Sequence, residues 1–279
     1  MLLAIDIGNS SIKFGIFDGS ELFYKFSIQT KRDYTVEELL FDRLKVHRRQ
    51  FIQVDIAECI VASVVPELNA VVAQACRELF KITPRFVDET WDFGLTIKYE
   101  PPSAAGADRL INAHAAATKY GKPVVICSFG TATTIDVVNE VGEYIGGLIA
   151  PGMATAAKAL NMLTAKLPNV AIEKPQSVIG NTTVTSIQSG IVFGHIAMVE
   201  GLLSRIFLDF SSVSSVRSVV HSTETTETTE TTETTEQHGK EMQVIATGGF
   251  AHLIAANCKM IDTLDKNLTL DGLRIIAEG

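Results

Sequence analysis

Two distant stretches of this chain follow one plan: an apolar strand, a glycine turn and a second strand. In the first, Leu2-Leu3-Ala4-Ile5 leads into Asp6-Ile7-Gly8-Asn9-Ser10, and Ser11 to Phe17 leads out. In the second, Val124-Val125-Ile126-Cys127 leads into Ser128-Phe129-Gly130-Thr131-Ala132-Thr133, and Thr133 to Val138 leads out. Each second strand ends in a turn, Asp18-Gly19 or Asn139 to Gly142, with a third strand after it. A glycine flanked by hydroxyl and amide side chains lets backbone N–H groups approach an anion closely, because no Cβ stands in the way. Two such hairpins facing each other form a clamp able to hold a nucleoside triphosphate between two half-molecules. One position breaks the match: Asp6 aligns with Ser128, where the duplication calls for a second carboxylate.

The 279 residues suffice for two domains of about 130 residues each. Net charge is −8, and Glu224, Glu227, Glu230, Glu233 and Glu236 account for five of it, which leaves −3 on the rest. That balance argues against a nucleic-acid partner, and any triphosphate site must be built from local donors. Cys59, Cys76, Cys127 and Cys258 form no CxxC pair, so they read as small buried hydrophobes in a reducing compartment. No signal peptide and no uninterrupted apolar run of membrane-spanning length is visible, so no membrane span and a cytoplasmic location are expected.

The expected order is three strands (2–7, 11–17, 21–29), a helix over 35–47, a strand over 56–65, a helix from Pro66 to Phe80 and a short strand at Phe86-Val87. A connector from Trp91 to Pro102 precedes an Ala-rich helix over 105–120, closed by Gly121. The second strand triplet fills 123–150, and Pro151-Gly152 opens a helix to Leu163. A long apolar-striped helix spans 183–210, and a strand, Thr247-Gly248-Gly249 and a terminal α/β pair follow. The class is α/β, with an N-terminal domain over 1–104 and a C-terminal domain over 105–279. Thr223 to Glu236 repeats Thr-Glu-Thr with no apolar residue, so a solvated insertion is expected there, with an acidic docking segment as the alternative.

Several residues carry candidate chemistry. Asn9, Ser10 and Lys13 offer donors to phosphate, and Asp6 suits a hydrated Mg²⁺. Gly106-Ala107-Asp108-Arg109 opens the Ala-rich helix, where Asp108 either caps the helix or accepts a hydroxyl proton, beside a guanidinium suited to anionic oxygens. Gly248 and Gly249 make either a simple turn or a platform for a flat ring. Gly180-Asn181-Thr182-Thr183 supplies N-cap hydroxyls that can also hold a carboxylate or amide. The six histidines show no metal spacing, and His114 and His195 read as core or surface residues.

Together, Asp6-Ile7-Gly8-Asn9-Ser10, Gly106 to Arg109, Phe129 to Thr134, Tyr144 to Gly152, Ser186 to Gly190 and Ala246 to Phe250 resemble the type III pantothenate kinases. The resemblance implies duplicated ribonuclease-H-like (actin-like ATPase) domains with mixed sheets and a nucleotide cleft between them. It implies ATP-dependent phosphorylation of pantothenate at its 4′-hydroxyl, the first step towards coenzyme A, in a homodimer with a shared active site. It places nucleotide on Asp6, Ile7, Gly8, Asn9, Ser10, Ser11, Ile12, Lys13 and Thr131, with Gly248 and Gly249 under the adenosine. Pantothenate falls to Tyr99, Gly106, Ala107, Asp108, Arg109 and the partner's Thr183, with Asp108 as proton acceptor. It implies Mg²⁺ with ATP, and K⁺ or NH₄⁺ at an Asp that is Ser128 here. The family's usual Lys/Arg-Asn-Thr reads Asn181-Thr182-Thr183. An alternative is a divergent paralogue that binds ligand with weak or no transfer, because a hydroxyl at 128 lacks the charge of a carboxylate, and a unit-charge pair at 4 Å is worth about 4 kcal/mol at an effective dielectric near 20.

Overall fold

A computed structural model describes residues 1–40, 55–221 and 242–279, with side chains described except over 211–221. The end of the helix expected over 35–47, and the whole Thr/Glu repeat, lie outside the described residues. The first sheet holds β1 (Leu2–Ile7), β2 (Ser11–Asp18), β3 (Glu21–Gln29), β4 (Glu58–Ser63) and β5 (Arg85–Val87) in the order β3-β2-β1-β4-β5. The first three strands are antiparallel neighbours, and β1, β4 and β5 run parallel. Pro66–Leu68 is a 3-10 turn, and only then does α1 (Asn69–Phe80) begin.

The expected connector contains a two-residue strand, β6 (Thr96–Ile97), followed by α2 (Ala107–Tyr120). The second sheet is β7 (Val124–Phe129), β8 (Ala132–Val138), β9 (Glu143–Pro151), β10 (Gln243–Thr247) and β11 (Thr263–Leu264), with β6 added beyond β9. Its order β9-β8-β7-β10-β11 repeats that of the first sheet, so the molecule is a duplicated ribonuclease-H-like fold. The remaining helices are α3 (Met153–Leu163), α4 (Thr183–His221), α5 (Ala251–Ala255) and α6 (Leu268–Glu278).

β1 is apolar at nearly every position because both of its faces are buried. Leu3, Ile5 and Ile7 pack outward under α1, whereas Ala4 faces a central core. β7 behaves alike: Val125, Cys127 and Phe129 face the core under α3 and α4, and Val124 and Ile126 face the centre. Between the sheets lie α2 and α6, which contribute Leu110, Ile111, Leu268 and Leu273. Side chains alternate along a strand, so Asp6 and Ser128 share the central faces of Ala4 and Ile126 and sit where those strands end. All four cysteines are free and buried, as their spacing suggested.

One helix bears on the expected absence of a membrane span. Thr183–Phe210 is long and apolar enough to cross a membrane, with mean hydropathy 1.7 in its most apolar window. Gln188, His195, Glu200 and Arg205 interrupt the apolar run, so an uninterrupted-run criterion does not single it out. Here Ile187, Ile191, Val192, Ile196, Val199 and Leu203 pack against the second sheet.

Candidate active site

The two glycine turns face each other. Ser10 Oγ and Thr131 Oγ1 lie 2.7 Å apart and share a hydrogen bond across the halves. The hairpins are not identical. The first closes with Ile7 opposite Ile12 and Gly8 N–H donating to Ser11 O, the second with Phe129 opposite Thr133 and Gly130 N–H donating to Ala132 O. The second turn is therefore one residue tighter, and Thr131 is the counterpart of Ser10.

Each tip is braced from behind. Thr30 Oγ1 donates to Gly8 O at 2.6 Å, Thr30 N–H donates to Ser10 O, and Arg32 Nη2 donates to Asn9 Oδ1 at 3.3 Å. At the second tip, Thr155 Oγ1 and Gly152 N–H both donate to Thr131 O, at 2.6 and 3.1 Å. Gly152 must lack a side chain, because a Cβ there would lie 2.2 Å from Gly130 O. Gly248 has φ +98°, and a Cβ on it would fall 2.6 Å from Phe129 O, so the loop after β10 lies directly on the second hairpin. Gly249 faces open space. Beneath, His195 Nε2 on α4 pairs with Thr133 Oγ1 at 2.7 Å, with the imidazole edge-on to Phe129.

The cleft floor holds three carboxylates. Asp6 is buried and accepts from Lys13 Nζ at 2.8 Å. Asp136, 1% exposed, accepts from Arg109 Nε at 2.8 Å and from Tyr144 OH at 2.7 Å. Arg109 lies between the rings of Tyr99 and Tyr144, its guanidinium carbon 5.4 and 5.8 Å from their centroids. Asp108, in the first turn of α2, accepts the N–H of Arg109 at 2.9 Å and has no other hydrogen-bond partner among the described residues. Burial, and then the negative charge of Asp6, push the Asp108 carboxyl above its ordinary range, against the pull of that N–H.

Thus Asp6, Lys13, Ser10, Thr131, Gly248, Tyr99, Asp108 and Arg109 belong to one cleft system. Thr183 does not. With Gly180, Asn181 and Thr182 it lines a groove of about 1390 Å³ between α3 and α4, which meets the back of the second hairpin at Thr155 and His195. Arg32, Asp136 and the Thr133 partner of His195 were not anticipated. Asp136 left a signal, a lone carboxylate inside the apolar strand Thr133 to Val138. Arg32 left none, because it reaches Asn9 only through the fold. No group of three or more His, Cys, Asp or Glu side chains able to hold a metal occurs among the described residues.

The type III pantothenate kinase family profile matches residues 2–205. The chain belongs to the type III pantothenate kinase family. A type III pantothenate kinase of Finegoldia magna is 40% identical over 277 residues, covering 99% of this chain and 96% of that one. A second, from Paramagnetospirillum magneticum, is 41% identical and covers 98% and 95%. Among solved structures, a putative Baf family transcriptional activator from Campylobacter jejuni aligns over 99% of this chain and 97% of its own, with TM-score 0.55 and 17% identity, a likeness of fold alone.

Proposed function

We propose that this chain transfers the γ-phosphoryl group of ATP to the 4′-hydroxyl of pantothenate, giving 4′-phosphopantothenate and ADP. The observation that carries the reading is Asp108: an acid on a helix N-terminus, without an ion-pair partner among the described residues, beside two hairpins joined through Ser10 and Thr131. The hydroxyl proton passes to the Asp108 carboxylate as the oxygen bonds to phosphorus and the bond to ADP breaks. Such transfer needs mainly positioning and charge neutralisation. Backbone N–H groups of both turns and Lys13 face the phosphates, and the loop at Gly248 and Gly249 receives adenosine. Arg109 and Tyr99, fixed by Asp136 and Tyr144, orient pantothenate.

The donor set at Asp6 fits Mg²⁺: a carboxylate at the end of a strand, held by Lys13 Nζ on one oxygen at 2.8 Å, has its other oxygen for a hydrated divalent ion arriving with the nucleotide. Bound there, the ion would offset triphosphate charge. Position 128 does not fit K⁺ or NH₄⁺ in the same way, because it offers a neutral hydroxyl. The enzyme works as a homodimer in the cytoplasm. Exposed Met162, Leu163, Val178 and Ile179, at 70, 84, 64 and 85%, lie around the groove that holds Thr183, and support placing Thr183 of one subunit near its partner's substrate. An ADP-coupled assay with and without pantothenate tests the reaction. Pantothenate-dependent ADP release is expected, and its absence at millimolar ATP under every cation tried overturns the reading.

A further inference from the structure

Strand register shows what replaced the missing carboxylate. In the first half Asp6 pairs with Lys13 on β2 and Ala62 on β4, so its row reads cation, anion, methyl. In the second half Ser128 pairs with Thr134 on β8 and Thr247 on β10, so the matching row is three hydroxyls. Directly paired residues share a sheet face, so these hydroxyls lie side by side on the central face, next to the second phosphate hairpin. Among the described residues, the acids singled out in the cleft are Asp6, Asp136 and Asp108. Asp6 is paired with Lys13, Asp136 with Arg109, and Asp108 stands alone as proton acceptor. An acid at 128 would add a second unpaired anion to this floor and demand a compensating cation; a hydroxyl adds no charge and makes no such demand.

We infer that this chain holds its second phosphate hairpin without a monovalent cation, the Ser128–Thr134–Thr247 hydroxyl row standing in for a carboxylate–cation pair. The inference rests on the kinase reading above and concerns the cation requirement of that same site. The backbone of the hairpin is held by neutral contacts: Gly152 N–H and Thr155 Oγ1 donate to Thr131 O, Phe250 N–H donates to Phe129 O at 3.2 Å under the loop at Gly248, and His195 pairs with Thr133.

The test compares K⁺, NH₄⁺, Na⁺ and tetramethylammonium chlorides at one ionic strength. For the wild-type protein, kcat/KM for ATP should agree within about twofold across the four salts, as expected when only screening acts. For S128D, turnover should become at least about tenfold higher in K⁺ or NH₄⁺ than in tetramethylammonium, the size expected for neutralising one partly screened charge. Wild-type turnover that collapses in tetramethylammonium overturns the inference while leaving the kinase reading intact. Absence of pantothenate-dependent turnover in every salt overturns the kinase reading instead. The cation question is then decided by calorimetric titration of KCl, in a tetramethylammonium background, into wild-type protein saturated with a non-hydrolysable ATP analogue. No saturable heat supports the inference; a saturable K⁺ signal overturns it, whether or not S128D folds.

Discussion

Asp108 and Asp136 are neighbours in the cleft with opposite tasks. The raised Asp108 carboxyl holds its proton more tightly folded than unfolded, so its ionised form costs stability once pH exceeds the ordinary value of 3.8. Below 3.8 both states are protonated and the cost vanishes. D108N should therefore raise the melting temperature near neutral pH, and the advantage should shrink as pH falls towards 3.8. The same substitution should lower turnover by about 100-fold or more, the usual worth of a general base. Asp136 instead neutralises a buried guanidinium, and D136N leaves that charge without its partner. Urea unfolding of D136N should show a loss of about 3–5 kcal/mol, against about 1 kcal/mol for Y144F, which removes one hydrogen bond. Asp108 was legible in the sequence because Gly106-Ala107-Asp108-Arg109 opens a recognisable helix. The tie from Arg109 to Asp136 was not, because it joins a helix terminus to the middle of a strand.

At the scale of elements, two helices carry the site by reaching across it. α4 braces the second hairpin through the pairing of His195 with Thr133. H195A should raise the KM for ATP by roughly tenfold while leaving the KM for pantothenate nearly unchanged, and H195Q, which keeps a polar nitrogen of similar reach, should recover most of it. α6 returns from the second sheet to pack against the first, and the turn before it is fastened to α2. Asp265 accepts from Lys119 Nζ at 2.6 Å and from Tyr120 OH at 2.8 Å. Burial pulls the Asp265 carboxyl upward, but these partners win and hold it below its ordinary value. Its stabilisation is therefore present above 3.8 and lost as pH falls through the lower folded value. D265N should lose about 1.5–3 kcal/mol at neutral pH, and the gap from wild type should close in acid. The sequence showed α4 through its apolar stripe, though not its continuation to His221. It did not show β6, because two residues carry no alternation pattern.

For the whole molecule, the layers alternate: α1, a sheet, α2 with α6, the second sheet, then α3 with α4. The central layer serves both halves, so the cleft is built on a shared core. The outermost layer leaves Leu163 and Ile179 uncovered beside the groove that holds Thr183. If the proposed homodimer forms through this face, sedimentation analysis of L163E should show monomer where wild type shows dimer, with pantothenate-dependent turnover lost and the melting curve still cooperative.

Adjacent residues decided the hairpins. An apolar run, a glycine and a hydroxyl-rich exit set backbone preferences that need no distant partner, so both phosphate turns and the helix bearing Asp108 follow from the chain itself. The meeting of Ser10 with Thr131, of Asp6 with Asp108, and of Thr133 with His195 was decided only by tertiary structure. Those distances depend on how α2 and α6 fill the space between two sheets and how α4 lies on the second. Burial and like-charge proximity, which raise the Asp108 carboxyl, exist only after that packing is complete.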